Sequence, residues 1–277
     1  MNALAPLLGV LVGIALGLTG GGGSLFAFPL LVYALHQTPT DAALASLIAV
    51  GVMSAFGTVL AWRAGLVIWR AGLIFAAAGF ITAPFGTHAH AIAPAWTLTI
   101  GFALLALAIA FSMWRRTRLH PEEAGAVRMN LSASPVDVQA VCALAGGKLR
   151  MTTPCAAVLL ASGAVTGLLS GFFGVGGGFL IVPALISATR LPVQNAVATS
   201  LLVITLIAIS GSGSAVLGGV PLTPLTLLFA AGGLAGMGAG RVLAPRISGQ
   251  RLQLGFAAML GLTGALMLAA ELWRMKA

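Results

Sequence analysis

Hydrophobic residues in this chain run in long blocks, which short polar or glycine-rich stretches interrupt. Alternation of polar and apolar positions is weak and turn signals are few, so the pattern argues against a β-barrel and favours helices. Several blocks approach the roughly 20 residues that a helix needs to cross a bilayer. They lie near residues 3–19, 24–36, 41–62, 67–87, 95–114, 155–172, 178–189, 194–217, 222–242 and 250–272.

The composition agrees with this pattern. The chain of 277 residues is 59% hydrophobic and 7% charged, whereas soluble domains average about 25% charged residues. We therefore predict an all-α, polytopic helical membrane protein. The first block has no basic residues before it, so we expect a retained membrane segment rather than a cleaved signal peptide. The net charge of +9 is spread over the loops, as membrane topology requires, and we predict no nucleic-acid partner.

A polar stretch divides the chain into two parts. We predict a first transmembrane repeat over residues 1–114, a cytoplasmic linker over 115–153 and a second transmembrane repeat over 154–277. The two repeats align without a gap at an offset of 154 positions over about ninety residues, mostly through glycines and prolines. The matched pairs are Gly17/Gly171, Gly20/Gly174, Gly22/Gly176, Gly23/Gly177, Pro29/Pro183, Ala42/Ala196, Ser46/Ser200, Leu47/Leu201, Gly57/Gly211, Gly79/Gly233, Gly86/Gly240, Leu98/Leu252, Gly101/Gly255 and Phe102/Phe256.

Basic residues indicate how the repeats are oriented, because Lys and Arg concentrate in cytoplasmic loops. If each repeat crosses the membrane an odd number of times, twelve of the fourteen basic residues lie on the linker side; four crossings per repeat would leave ten there. We therefore predict two inverted repeats, each with a glycine-broken helix pair plus three transmembrane helices, and extracytoplasmic termini. Whether the two segments around each glycine run cross the membrane or re-enter it stays open at this point.

The run Gly20–Gly23 is the strongest local signal, because each glycine costs a helix about 1 kcal/mol relative to alanine. Unwound backbone at membrane depth is tolerated only where it is packed in protein or lines a cavity. Secondary transporters with inverted repeats place their sites at such breaks. The alternative interpretation is a notch for close helix packing. We expect Pro29 and Pro183 to stiffen or kink the helices that follow the breaks.

The acidic residues suggest the sign of the ligand. No carboxylate lies at mid-membrane in the predicted spans, where a cation site would place one. Backbone amides at helix N-termini bind anions instead, and two further helices begin near Thr40 and Asn195. Glycines allow close approach, and serine and threonine hydroxyls donate hydrogen bonds. The predicted substrate-binding residues are Gly20, Gly21, Gly22, Gly23, Ser24, Ser46, Gly174, Gly176, Gly177, Gly178, Thr199 and Ser200.

Other chemistry finds little support in the sequence. Dinucleotide, P-loop, GxSxG and HExxH motifs are absent, so we predict neither an enzyme nor a metal site nor a cofactor. We interpret His88 and His90 as residues of a short, solvated loop on the outer side.

The two copies of the glycine motif, G-L-T-G-G-G-G-S-L-F-A-F-P and G-F-F-G-V-G-G-G-F-L-I-V-P, resemble the sulfite exporter TauE/SafE family, and the resemblance covers nearly the whole chain. It implies a bacterial inner-membrane permease that moves sulfite, organosulfonates or related sulfur anions, either by a proton-linked mechanism or as a uniporter. We expect alternating access around two opposed breaks. A passive anion channel and a non-transporting membrane scaffold or assembly factor remain as alternatives.

Overall fold

The computed structural model describes residues 4–119, 143–145, 148–150, 153–174, 178–189, 193–217, 223–243 and 249–276. The first half contains α1 (Leu4–Thr19), α2 (Ser24–Pro29) continued by a π-helical turn (Leu30–Ala34), α3 (Pro39–Arg63), α4 (Trp69–Ile92) and α5 (Ala95–Leu119). Two short antiparallel strands follow, β1 (Ala143–Ala145) and β2 (Lys148–Arg150). The second half contains α6 (Thr153–Phe173), α7 (Gly178–Thr189), α8 (Val193–Leu217), α9 (Pro224–Leu243) and α10 (Gly249–Lys276).

The prediction of an all-α, polytopic helical membrane protein is confirmed. Among the described residues, five helices are long and apolar enough to cross a membrane: α3, α4, α6, α8 and α9. Large apolar side chains cover the outside of the bundle, for example Leu7, Ile81 and Phe85, each more than three-fifths exposed. Such a surface is stable in lipid and would aggregate in water.

The internal repeat is visible in the helix bounds. Helices α3 and α8 each contain 25 residues, and both of their ends are 154 positions apart. Helix α3 begins at Pro39 after the N-cap Thr38, whose Oγ1 accepts a hydrogen bond from the amide of Asp41. The N-cap is therefore Thr38, not the predicted Thr40, because Pro39 is well placed at the first helical position.

The first helix of each half packs against the fourth helix of the other half. Helix α1 lies on α9 and α6 lies on α4, so the two halves are interlocked. Glycines allow these close approaches. A Cβ on Gly13 would lie 2.1 Å from the carbonyl oxygen of Gly233, and a Cβ on Gly167 would lie 2.3 Å from that of Gly79. These are small-residue contacts of the kind that membrane helices use.

Equivalent helices cross in opposite directions. Gly211 of α8 packs on Leu47 of α3, whereas Leu201 of α8 packs on Gly57 of α3, so these two helices run antiparallel. In α10, Gly264 lies on Ala103 of α5 and Gly261 lies farther along that helix. These antiparallel pairs are what an inverted repeat requires, and the inversion itself stays a prediction.

The bundle has two distinguishable ends. We call the end where α5 finishes and α6 begins the linker end. Helices α4 and α6 run parallel and finish together at the opposite end, which we call the far end, because His90 there contacts the carbonyl of Phe172. Helix α3 begins at the far end, since Gly174, directly after α6, packs on Ala43.

Candidate functional site: two glycine breaks that meet

The first break interrupts the chain between α1 and α2. Gly20 adopts φ +73°, which glycine reaches without strain, and its amide donates to the carbonyl of Leu16 at 2.7 Å. A Cβ on Gly23 would lie 2.2 Å from the amide nitrogen of Leu16, so the chain folds back on α1. The whole segment from Gly20 to Pro29 is buried. The 11 residues from Ser24 to Ala34 are too short to cross a bilayer.

Only some of the backbone amides in the first break donate hydrogen bonds within the described structure. Gly22 donates to Oγ1 of Thr19 at 2.9 Å, and that hydroxyl donates in turn to Ala15. Within the described residues, the amides of Gly21 and Gly23 have no acceptor. The great majority of buried amides in proteins are paired, and an exception needs an explanation. These two lie at the N-terminal, positive end of the helix that follows the break.

The second break begins in the same way as the first. Gly174 adopts φ +67°, the counterpart of Gly20, and Gly178 begins α7. A Cβ on Gly21 would lie 2.3 Å from the carbonyl oxygen of Gly178, so the two breaks touch backbone to backbone. Gly176 and Gly177 lie outside the described residues. The structure thus brings together Gly21 and Gly178, two of the predicted site glycines.

The predicted hydroxyls all bind to protein in this conformation. Ser200 donates to the carbonyl of Gly20 at 2.7 Å, and its counterpart Ser46 donates to the carbonyl of Gly174. Ser24 donates to Gly21 at 2.7 Å, and Thr199 accepts the amide proton of Ile68 at 3.0 Å. Ser46 and Ser200 therefore satisfy carbonyls at the ends of the helices that lead into the breaks. Each serine acts on the break of the other half.

Both prolines lie in the helices that follow the breaks, and their stiffening or kinking of these helices stays a prediction. At Pro29 the α-helical backbone changes into the π-helical turn, a local irregularity that often marks functional helices. Pro183 lies inside α7.

A cavity of about 550 Å³ reaches the second break from the far end. Its walls come from the beginning of α3 and the ends of α4, α6 and α8. The lining residues are Thr40, Asp41, Ala43, Leu44, Leu47, Pro84, Thr87, His88, His90, Ala91, Gly171, Gly174 and Ser214. Asp41 has a structural role at the mouth, because its carboxylate accepts from Thr38 in the first turn of α3.

The interpretation of His90 as a solvated loop residue is wrong. Helix α4 continues to Ile92, so both histidines belong to it, and packing against α6 half-buries His90. Nδ1 of His90 lies 2.7 Å from the carbonyl of Phe172 and must carry a proton to bond with it. Nε2 is buried and has no partner in the described structure. The exposed His88 lines the same cavity.

Comparison with known proteins now decides the family. The profile of the sulfite exporter TauE/SafE family matches residues 5–267. The chain belongs to the TauE/SafE sulfite exporter family. A probable membrane transporter protein of Xylella fastidiosa strain 9a5c is 33% identical over 253 residues, which cover 88% of this chain and 85% of the relative. One from strain Temecula1 is 34% identical over 252 residues, with the same coverage. No solved structure matches the chain.

This TauE/SafE member is therefore a multi-pass membrane transporter rather than an enzyme. Three residues near its breaks were overlooked or misread in the sequence: Thr87 and Arg241 were overlooked, and His90 was misread as a loop residue. A signal for two of them was present, because Thr87 and Arg241 are 154 positions apart and occupy equivalent places in the two halves. Their difference in size and charge marks a departure from symmetry.

Proposed function

We propose that this protein is a secondary transporter for small sulfur-containing anions, such as sulfite or organosulfonates. It works by alternating access around two opposed glycine breaks. The substrate-binding region comprises the break segments Gly20–Ser24 and 174–178.

The pair of amides in the first break carries this proposal. Gly21 and Gly23 present buried N–H groups without an acceptor in the described structure, at the positive end of a helix. An oxyanion supplies the missing acceptors and the negative charge. A cation or an apolar ligand would satisfy neither group. The name of the family, sulfite exporter, supports sulfur anions as the class.

The arrangement of the halves supports alternating access. We propose that they form an inverted repeat, with residues 1–114 and 154–277 as its two copies and residues 115–153 as the connection. The antiparallel crossing of α3 and α8 supports this interpretation. Among the described residues, a cavity reaches the second break from the far end, while Val197 packs on Gly20 at the first break. A cavity at the far end beside a packed first break favours a transporter over an open channel.

We assign Ser46 and Ser200 to shaping the breaks rather than to direct anion contact in this conformation. Their hydroxyl protons are engaged by the carbonyls of Gly174 and Gly20. Protons are the proposed coupling ion, since the imidazole of His90 has a free buried nitrogen in the wall of the cavity. We place the protein in the bacterial inner membrane, with a cytoplasmic linker and extracytoplasmic termini.

Flux into proteoliposomes tests the proposal. We expect saturable uptake of sulfite and of an organosulfonate, with counterflow exchange of labelled for unlabelled substrate. Linear, non-exchanging flux would indicate a channel instead. The absence of both flux and ligand-dependent thermal stabilisation would indicate a scaffold. Gly22→Val combined with Gly176→Val should abolish flux, whereas Gly213→Val should not, because a Cβ on Gly213 meets nothing within 4 Å.

A further inference from the structure

Arg241 is a charged side chain inside the bundle that the proposed site does not yet use. It lies in the last turn of α9 and is half-buried. Its Nη2 donates to the carbonyl of Gly57 in α3 at 3.1 Å. Within the described part of the chain, no carboxylate forms an ion pair with it. An intramembrane cation without a counter-ion indicates a functional site.

Snorkelling is the alternative explanation for an arginine near a helix end. A snorkelling side chain reaches outward to the lipid headgroups. Arg241 instead reaches across to α3 and donates a hydrogen bond to a helix carbonyl inside the bundle. Its neighbours Val242 and Leu243 are exposed and cover the outer face of the same turn. The direction of the side chain therefore argues for an inward role.

The first break lies beside Arg241. A Cβ on Gly17 would lie 3.1 Å from the backbone nitrogen of Arg241, and Gly20 follows three residues later in the chain. Gly57, which receives the guanidinium, packs against Leu201. Leu201 directly follows Ser200, the residue whose hydroxyl holds the carbonyl of Gly20. The guanidinium thus lies in the layer of the bundle that contains the first break.

The internal repeat gives an independent argument. The offset of 154 relates Thr87 to Arg241 and relates Gly20 to Gly174. Thr87 and Gly174 line one cavity at the far end. Arg241 therefore occupies, relative to the first break, the position that Thr87 occupies relative to the second break. At the second break the short side chain of Thr87 lines an open cavity, whereas the equivalent position at the first break carries the long cationic side chain of Arg241.

From these relationships we infer that Arg241 binds the oxyanion on the linker-end side of the first break. To do so, its guanidinium gives up the hydrogen bond to the carbonyl of Gly57. A guanidinium has five N–H donors in a planar fork, and the described structure uses one of them. The fork matches two oxygens on one sulfur, as in sulfite and sulfonates, better than it matches a single-atom halide. This inference rests on the proposed function and specifies its ligand as an oxyanion with paired oxygens.

Transport kinetics in proteoliposomes test the role of Arg241. The variants are Arg241→Gln, Arg241→Lys and, as a control, Arg70→Gln, which removes an exposed charge at the linker end. We expect Arg241→Gln to raise KM for an organosulfonate by about 10- to 100-fold, the value of a charged hydrogen bond. Arg241→Lys should raise it less, because charge remains but the fork is lost. Arg70→Gln should leave KM unchanged.

The outcomes separate this inference from the proposed function. If the wild-type protein moves no sulfur oxyanion, both are overturned. If the wild-type protein transports a sulfur oxyanion and the KM of Arg241→Gln equals that of Arg70→Gln, only the role of Arg241 is overturned. If Arg241→Gln does not fold, Arg241→Lys decides: a KM equal to wild type for the organosulfonate would overturn the inference, and a raised KM with an unchanged maximal rate would support it.

Discussion

The hydroxyl of Ser200 donates to the carbonyl of Gly20, 180 positions earlier in the chain, at 2.7 Å. Its counterpart Ser46 makes the same bond to Gly174. Each half of the transporter thus holds the break of the other half. Any movement that changes one break must break or remake a bond from the opposite half, which couples the two halves mechanically.

Ser200→Ala should destabilise the protein. It leaves the buried carbonyl of Gly20 without this donor, at a cost of about 1–3 kcal/mol in the free energy of unfolding. Thermal unfolding in detergent measures the change. Ser112→Ala is the matched control, because Ser112 is exposed and bonds within its own helix. Equal stability of the two variants would contradict the role of Ser200.

Gly21→Ala should prevent the two breaks from touching. The added Cβ would lie 2.3 Å from the carbonyl oxygen of Gly178, and backbone on both sides must move. We expect a loss of at least about 2 kcal/mol in stability and a loss of sulfonate flux. The control is Gly213→Ala, which adds a methyl group to open space. Should Gly21→Ala transport like wild type, contact between the breaks would not be required for function.

Sulfonate affinity should depend on pH through His90. With Nδ1 donating to Phe172, protonation adds an N–H at the free Nε2 and a positive charge, so the anion binds more tightly at lower pH. The other titratable groups at this cavity are Asp41 and His88. We expect KM for an organosulfonate, which stays ionised throughout, to rise as the pH increases and His90 loses its proton.

The substitution His90→Gln should flatten this pH profile, whereas His88→Gln should preserve it, because His88 is exposed. A profile in His90→Gln that follows the wild type would assign the pH dependence to another group.

The topology predicts that a reporter fused after Ala277 lies on the side opposite the linker. Helices α5 and α10 cross antiparallel, so α10 ends at the far end, away from the linker. Alkaline phosphatase at this position should be active and green fluorescent protein should be dark, since these reporters work outside and inside the cytoplasm respectively. The opposite pair of signals would exclude a cytoplasmic linker.

Local patterns were sufficient to predict much of this fold. Hydrophobic blocks predicted the long helices, and the glycine run predicted the break after Thr19, because both effects depend on neighbouring residues alone. The offset of 154 predicted the equivalence of α3 and α8, whose bounds obey it at both ends. His88 and His90 were wrongly assigned to a loop, because nothing in the residues around Pro94 indicates that α4 extends to Ile92.

By itself, the sequence determined the class of helical membrane protein, the internal repeat and the positions of the glycine breaks. The length and apolarity of each block and the missing Cβ atoms of glycine act locally, through residues that are neighbours in the chain. Tertiary structure alone decided that Gly21 meets Gly178 and that Ser46 and Ser200 cross over to the other half. It also decided that the cavity reaches the second break, while Arg241 stands beside the first. These contacts join residues more than a hundred positions apart, and helix packing, not any local preference, brings them together.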